Sequence, residues 1–174
     1  MIDKIGQPKA LYCFARLPFD GTNPALKKDS PVIFSVVTLG SQPSDLVAQE
    51  FEKGNHLEAL MADMEANSLL FSKQEAIAKD IAAFAKRQGY GIQGVYEAPT
   101  DIDASIQDYI VKVTGADKVL GISLTSGHML CPEKSMCQIY LLSQDKNECN
   151  YRHDCSSCQA DKCNFRQAGF DIEK

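Results

Sequence analysis

The chain has 174 residues, 44% of them hydrophobic, with 18 Lys and Arg against 23 Asp and Glu for a formal charge of −5. That is enough apolar material for one core-bearing domain, while no apolar run reaches the length that crosses a bilayer. The acidic balance and the lack of a basic stripe exclude a phosphate-backbone binder, and with no Trp and only 8% aromatic residues a stacking platform for single strands is excluded as well.

The start, Met1 to Gln7, has neither a basic flank nor an apolar signal segment, so neither export nor membrane anchoring is expected and a cytoplasmic location is. Ala10 to Leu17 reads as a first strand, followed by a loop through Asp20-Gly21-Thr22-Asn23-Pro24. Pro31 opens the β-branched run Val32 to Leu39, whose lack of alternation predicts a central strand covered on both faces. Gly40 breaks it. Ser41 to Ser44 offers N-cap chemistry for a short helix carrying Leu46, Val47 and Phe51 and ending at Gly54. From His56 to about Gly89 the residues Leu57, Leu60, Met61 and Met64, then Ile77, Ile81 and Phe84, recur at helical spacing, with a division expected at Asn67-Ser68.

Tyr90 to Pro99 contains two of the chain's glycines after Gly89 and reads as a strand edge or a loop. Thr100-Asp101 is expected to cap a helix carrying Ile102, Ile106, Tyr109, Ile110 and Val113 and stopping at Gly115. Val119 to Leu124 and Met136 to Leu142 are then expected as strands. From Ser143 the chain turns polar and offers little to bury, so something other than a core must order it. The domain division is therefore 1–143 for an α+β domain, a twisted, largely antiparallel sheet packed by helices, and 144–174 for an irregular Cys-rich C-terminal tail.

Six of the seven cysteines fall between residues 131 and 163. Four stand as Cys149-x5-Cys155-x2-Cys158-x4-Cys163, and thiols gathered so closely in a reducing compartment point to a metal centre rather than disulfides. Structural zinc sites come as two close Cys pairs or as Cys/His pairs, whereas this tail has one close pair with wider outer intervals, which favours an iron–sulfur cluster of the [4Fe–4S] type over zinc. His153 is a candidate zinc ligand or second-shell donor, and Cys131 a candidate fifth sulfur. Cys137 and Cys13 read as small core residues.

Other constellations carry less. Glu133 and Lys134 are candidates to contact a ligand or a partner, against the ordinary reading of a solvated pair at a turn. His128 is a lone histidine, and Asp101, Asp103 and Asp108 read as helix-start and solvent-face charges. There is no Gly-rich phosphate loop, nucleophile elbow or Asp-x-His-x-x-Gly signature.

The run Leu124-Thr125-Ser126-Gly127-His128-Met129-Leu130-Cys131-Pro132-Glu133-Lys134-Ser135-Met136-Cys137-Gln138-Ile139-Tyr140 resembles the Leu-Thr-x-Ser…Met-x-Pro-x-x-Ser-x-Ser-x-x-Tyr stretch of the activation domain of cobalamin-dependent methionine synthase. It is similar also to small free-standing relatives with Pro-x-Lys-Ser there, and the likeness extends over roughly residues 30 to 143. The resemblance implies an activation-domain-like fold, S-adenosylmethionine as ligand, and docking on a partner protein that carries cobalamin. Tyr140 matches the family's adenosyl-contacting Tyr, although a Tyr on an apolar strand is by default a core residue. Gly94 and Pro99 superpose on the family's Arg-x-x-x-Gly-Tyr loop, whose Arg and Tyr positions hold Tyr90 and Val95 here; Arg87 is the nearest guanidinium. Gly94, Tyr96, Tyr140, Glu133 and Lys134 are accordingly the residues assigned to cofactor binding, and Cys149, Cys155, Cys158 and Cys163 those assigned to metal. Reduction of Co(II) needs a strong reductant, and iron–sulfur centres reach about −700 mV, while zinc has no redox chemistry. The function implied is reductive activation, Co(II) to Co(I), or repair of a corrinoid protein in anaerobic methyl transfer. The alternatives are a non-catalytic zinc-stabilised binding module and a corrinoid-binding or delivery protein without electron transfer.

Overall fold

The β-branched run forms a central strand, as its pattern predicts. In the computed structural model, which describes residues 6–99 and 101–152, β1 (Lys9–Arg16) is followed by β2 (Pro31–Thr38), α1 (Gln42–Glu52), α2 (His56–Arg87), β3 (Gly91–Glu97), α3 (Ile106–Thr114), α4 (Ala116–Val119), β4 (Ser123–Leu124), β5 (Leu130–Cys131) and β6 (Ser135–Ser143). Four strands make one sheet in the order β1-β2-β6-β3, with every neighbouring pair antiparallel. The short β4 and β5 pair by themselves. The architecture is α+β.

Both faces of the sheet are covered, and β2 shows why its sequence does not alternate. Its even-numbered residues Val32, Phe34 and Val36 join Cys137, Ile139 and Leu141 of β6 in a cluster closed by Ile110 and Val111 of α3. The odd-numbered Ile33 packs with Tyr140 and Leu142 against Ala78, Ile81 and Ala85 of α2, and Val37 packs with Leu39 against Leu70. Alanines at the helix–sheet contact let α2 approach closely, while each fully buried Ile or Leu contributes about 1.5–3 kcal/mol.

Three boundaries differ from expectation, each for a visible reason. The long helix runs unbroken for 32 residues, because the Asn67 side chain is occupied with Asp63 and Lys134 and does not compete for the helix backbone. The third helix begins at Ile106 rather than after Asp101. Asp101 instead accepts the Glu97 amide to close a turn, and Asp103 takes both the amide and the hydroxyl of Ser105. Of the run Val119 to Leu124 only Ser123–Leu124 is strand. Left-handed Gly115 and Gly121 bracket a helical turn there, so local backbone geometry overrides the β preference of Val119.

Among the described residues no helix is long and apolar enough to cross a membrane.

Candidate functional site

The segment that carries Cys149 is fastened to the free edge of β3. Ile92 donates its amide to the Glu148 carbonyl at 2.9 Å, and Asn150 donates its amide to the Ile92 carbonyl at 2.9 Å, which sets Cys149 beside Ile92 in a parallel bridge. The Asn150 side-chain amide adds a bond to the Gln93 carbonyl. Close approach requires Gly91, where an added Cβ would stand 2.0 Å from the Asp145 carbonyl oxygen and 2.6 Å from that of Glu148. Past Cys149, Tyr151 packs into the cluster under α2 and Arg152 pairs with Glu75 at 2.8 Å. Cys149 itself is exposed. Cys155, Cys158, Cys163 and His153 lie outside the described residues, and among those described no group of three or more His, Cys, Asp or Glu is gathered to hold a metal ion.

Beneath α2 the sheet carries a polar seam. Gln138 donates from Nε2 to Glu97 at 2.5 Å. Its Oε1 accepts from the Tyr140 hydroxyl at 2.8 Å and from Gln74 of α2 at 2.9 Å, and Gln74 Nε2 also reaches the Tyr140 oxygen at 3.2 Å. Burial, opposed by the Gln74 hydrogen bond and reinforced by the Glu97 charge, pushes the Tyr140 phenol up to about 12. Ser35 Oγ is buried on the same face, where its hydroxyl faces the Tyr140 phenol and also opposes the rise of that group. Further along, Ser135 bonds Thr38 and the Pro132 carbonyl, and Lys134 reaches Asp63 at 2.5 Å and Asn67 at 2.9 Å. Lys134 is thus a buried strut between the sheet and the long helix rather than half of a solvated pair with Glu133, which is exposed.

The residues assigned to cofactor binding divide between the two faces. Tyr140 and Lys134 lie toward α2, with Tyr140 fully buried. Tyr96 packs toward α3, and Gly94 is on its side, since a Cβ there would stand 3.2 Å from the Tyr96 hydroxyl. The backbone at Gly94 is displaced by a bulge, because the register with β6 shifts between Ile92 and Gly94. Burial first, then the Asp101 charge, raises the Tyr96 phenol above its ordinary value. The four do not line one groove.

Cys137 is buried in the core and its thiol is pushed up to about 12 by that burial. Cys13 is half-buried against the same cluster, and burial raises it as well. Cys131 is exposed on β5. One pairing had no signal in the sequence: His128, at positive φ, sets Nδ1 against Asp108 while Gln107 donates to the His128 carbonyl. The partners lie 20 positions apart on different elements, and nothing in their spacing foretells the contact.

No family model matches this chain, and no curated protein matches it. The likeness around Pro132 to Ser135 rests on those residues themselves.

Proposed function

We propose that this chain serves the reductive activation of a corrinoid protein in methyl transfer, on a domain resembling the activation domain of cobalamin-dependent methionine synthase, with Cys149, Cys155, Cys158 and Cys163 holding an iron–sulfur cluster. The observation that carries the reading is the hydrogen-bonded joining of the Cys149 segment to β3, the strand onto which the resemblance would map the family's ligand loop. The donor set fits: Cys149 is an accessible thiol on backbone fixed from both sides, and three further sulfurs follow within fourteen residues, a soft set suited to iron–sulfur or zinc. When bound, an iron–sulfur cluster supplies a low-potential electron of the kind that takes Co(II) to Co(I).

The chain's own residues supply the mounting. Gly91 admits the Asp145–Glu148 turn, and Tyr151 and Arg152 tie the base of the tail to the long helix. For S-adenosylmethionine the bulged backbone at Gly94 and the half-buried Tyr96 are the accessible candidates; Tyr140, fully buried on the opposite face of the sheet, is not one of them. The corrinoid stays on the partner, since the chain has no Asp-x-His-x-x-Gly signature of its own. Anaerobically reduced protein mixed with cob(II)alamin, with and without S-adenosylmethionine, tests the reading by absorbance. Conversion to Co(I), trapped as methylcobalamin when the methyl donor is present, is expected; an unchanged Co(II) spectrum beside a reduced cluster rules it out. The same anchoring of the tail would suit a zinc knot in a non-catalytic binding module, and the identity of the metal separates the two.

A further inference from the structure

The charge of the chain is concentrated in one place. Residues 41–68, comprising α1, the turn after it and the first turns of α2, carry six carboxylates, Asp45, Glu50, Glu52, Glu58, Asp63 and Glu65, against Lys53 as the single base. That balance equals the −5 of the whole chain, so everything outside the hairpin sums to zero. Lys134 pairs with Asp63 and Lys53 with Glu50.

The same hairpin presents an apolar stripe. Leu57, Leu60, Met61 and Met64 are 66, 56, 62 and 65% exposed, and their i, i+3, i+4, i+7 spacing sets them on one face of α2. The opposite face, with Ala59 and Ala66, is buried. Phe51 at the end of α1, also exposed, extends the stripe through the His56 ring at 5.8 Å. On the helical wheel Glu58 and Glu65 border the stripe along one side. Large apolar side chains clustered in solvent mark a contact surface, and the charges around them select what fits. A second copy would bring the same carboxylates against these. An anionic lipid surface is repelled by them. The chain's own residues 153–174, with Asp154, Asp161, Asp171 and Glu173 against Lys162, Arg166 and Lys174, have no surplus of base to offer.

We propose that this hairpin docks a partner protein through a basic amphipathic helix, whose apolar side packs on Leu57, Leu60, Met61 and Met64 while its Lys and Arg side chains meet the bordering carboxylates. The grammar is that of helix recognition by spaced apolar anchors, and the two methionines adapt their shape to the incoming residues. A patch of about two helical turns makes a small interface, hence a transient one of micromolar strength that weakens with salt. The docking site needs none of the tail cysteines and stands whether or not they bind metal.

The test uses the full-length protein, labelled at its five methionine methyls, and a synthetic Leu/Lys amphipathic peptide of about 18 residues, long enough to hold a helix on contact. In the free protein a soluble paramagnetic agent should relax the Met61 and Met64 methyls as strongly as that of Met129, which is 66% exposed. Adding the peptide should shift Met61 and Met64 and leave Met129 and Met136 in place. The double change Met61→Asp and Met64→Asp, at exposed positions where folding is little affected, should weaken binding about tenfold or more, while Met129→Asp should not. The proposal is overturned if Met61 and Met64 are already shielded in the free protein, as coverage by a second copy or by the tail would require. It is equally overturned if the double variant binds the peptide as well as the parent, or if a Leu/Glu peptide binds as tightly.

Discussion

Gly91 and Lys134 show how single residues shape the region of the candidate site. Gly91→Ala must displace the Asp145–Glu148 turn, because the added carbon meets backbone oxygens rather than a yielding side chain. The expected cost is about 1–3 kcal/mol, read as a lower denaturation midpoint, together with faster hydrogen exchange at the Asn150 amide. Lys134→Met should cost a similar ~1–3 kcal/mol, since it removes the ammonium from Asp63 and Asn67 while keeping the aliphatic stem; an unchanged midpoint in urea would show the strut to be idle. Cys137 and Tyr140 set the response to alkali. Both folded values lie near 12, above ordinary values of 9.0 and 10.0, so the unfolded chain loses these protons first. Their contribution is complete below about pH 9 and declines from there to about pH 12, by up to ~1.4 kcal/mol per pH unit for each group. Cys137→Ala and Tyr140→Phe should each flatten that decline in urea titrations across the range, and a slope identical to the parent would contradict the assignment.

At the scale of elements, patterns that burial writes into neighbouring residues were legible, and contacts between distant ones were not. Val32 to Leu39 declares a strand covered on both sides because every residue from Val32 to Leu39 is buried, its apolar side chains divided between the α3 and α2 faces. The alanines at 78 and 85 with Ile81 likewise declare a helix face. Ala78→Leu should overpack that contact, costing about 1–3 kcal/mol and lowering the thermal midpoint. By contrast, the role of Lys134 depends on Asp63, 71 positions away, and that of Asp101 on an amide it captures to close a turn. The division of Tyr96 and Tyr140 between opposite faces follows from the bulge at Gln93 and Gly94, which shifts the pairing register of β3. A list of residue types and intervals holds no trace of that shift.

For the molecule as a whole, two outward features of the described residues carry the proposals: the acidic hairpin with its apolar stripe, and the β3 edge to which the Cys149 segment is fastened. The spacing of the tail's sulfurs was plain in the sequence, whereas the packing of Tyr151 into the cluster under α2 was not. The fastening of Cys149 to β3 was not either, because it runs through backbone hydrogen bonds of Ile92 and Asn150 that no side-chain motif records. The functional reading depends on four tail sulfurs holding one iron–sulfur cluster beside that strand. The most direct test is iron, zinc and acid-labile sulfide analysis with electron paramagnetic resonance on oxygen-free protein, comparing the parent with Cys149→Ser. Iron and sulfide in equal amounts, a signal that appears on reduction, and loss or marked weakening of both in the variant are expected. Colourless protein with stoichiometric zinc, or a cluster indifferent to Cys149, would contradict that reading.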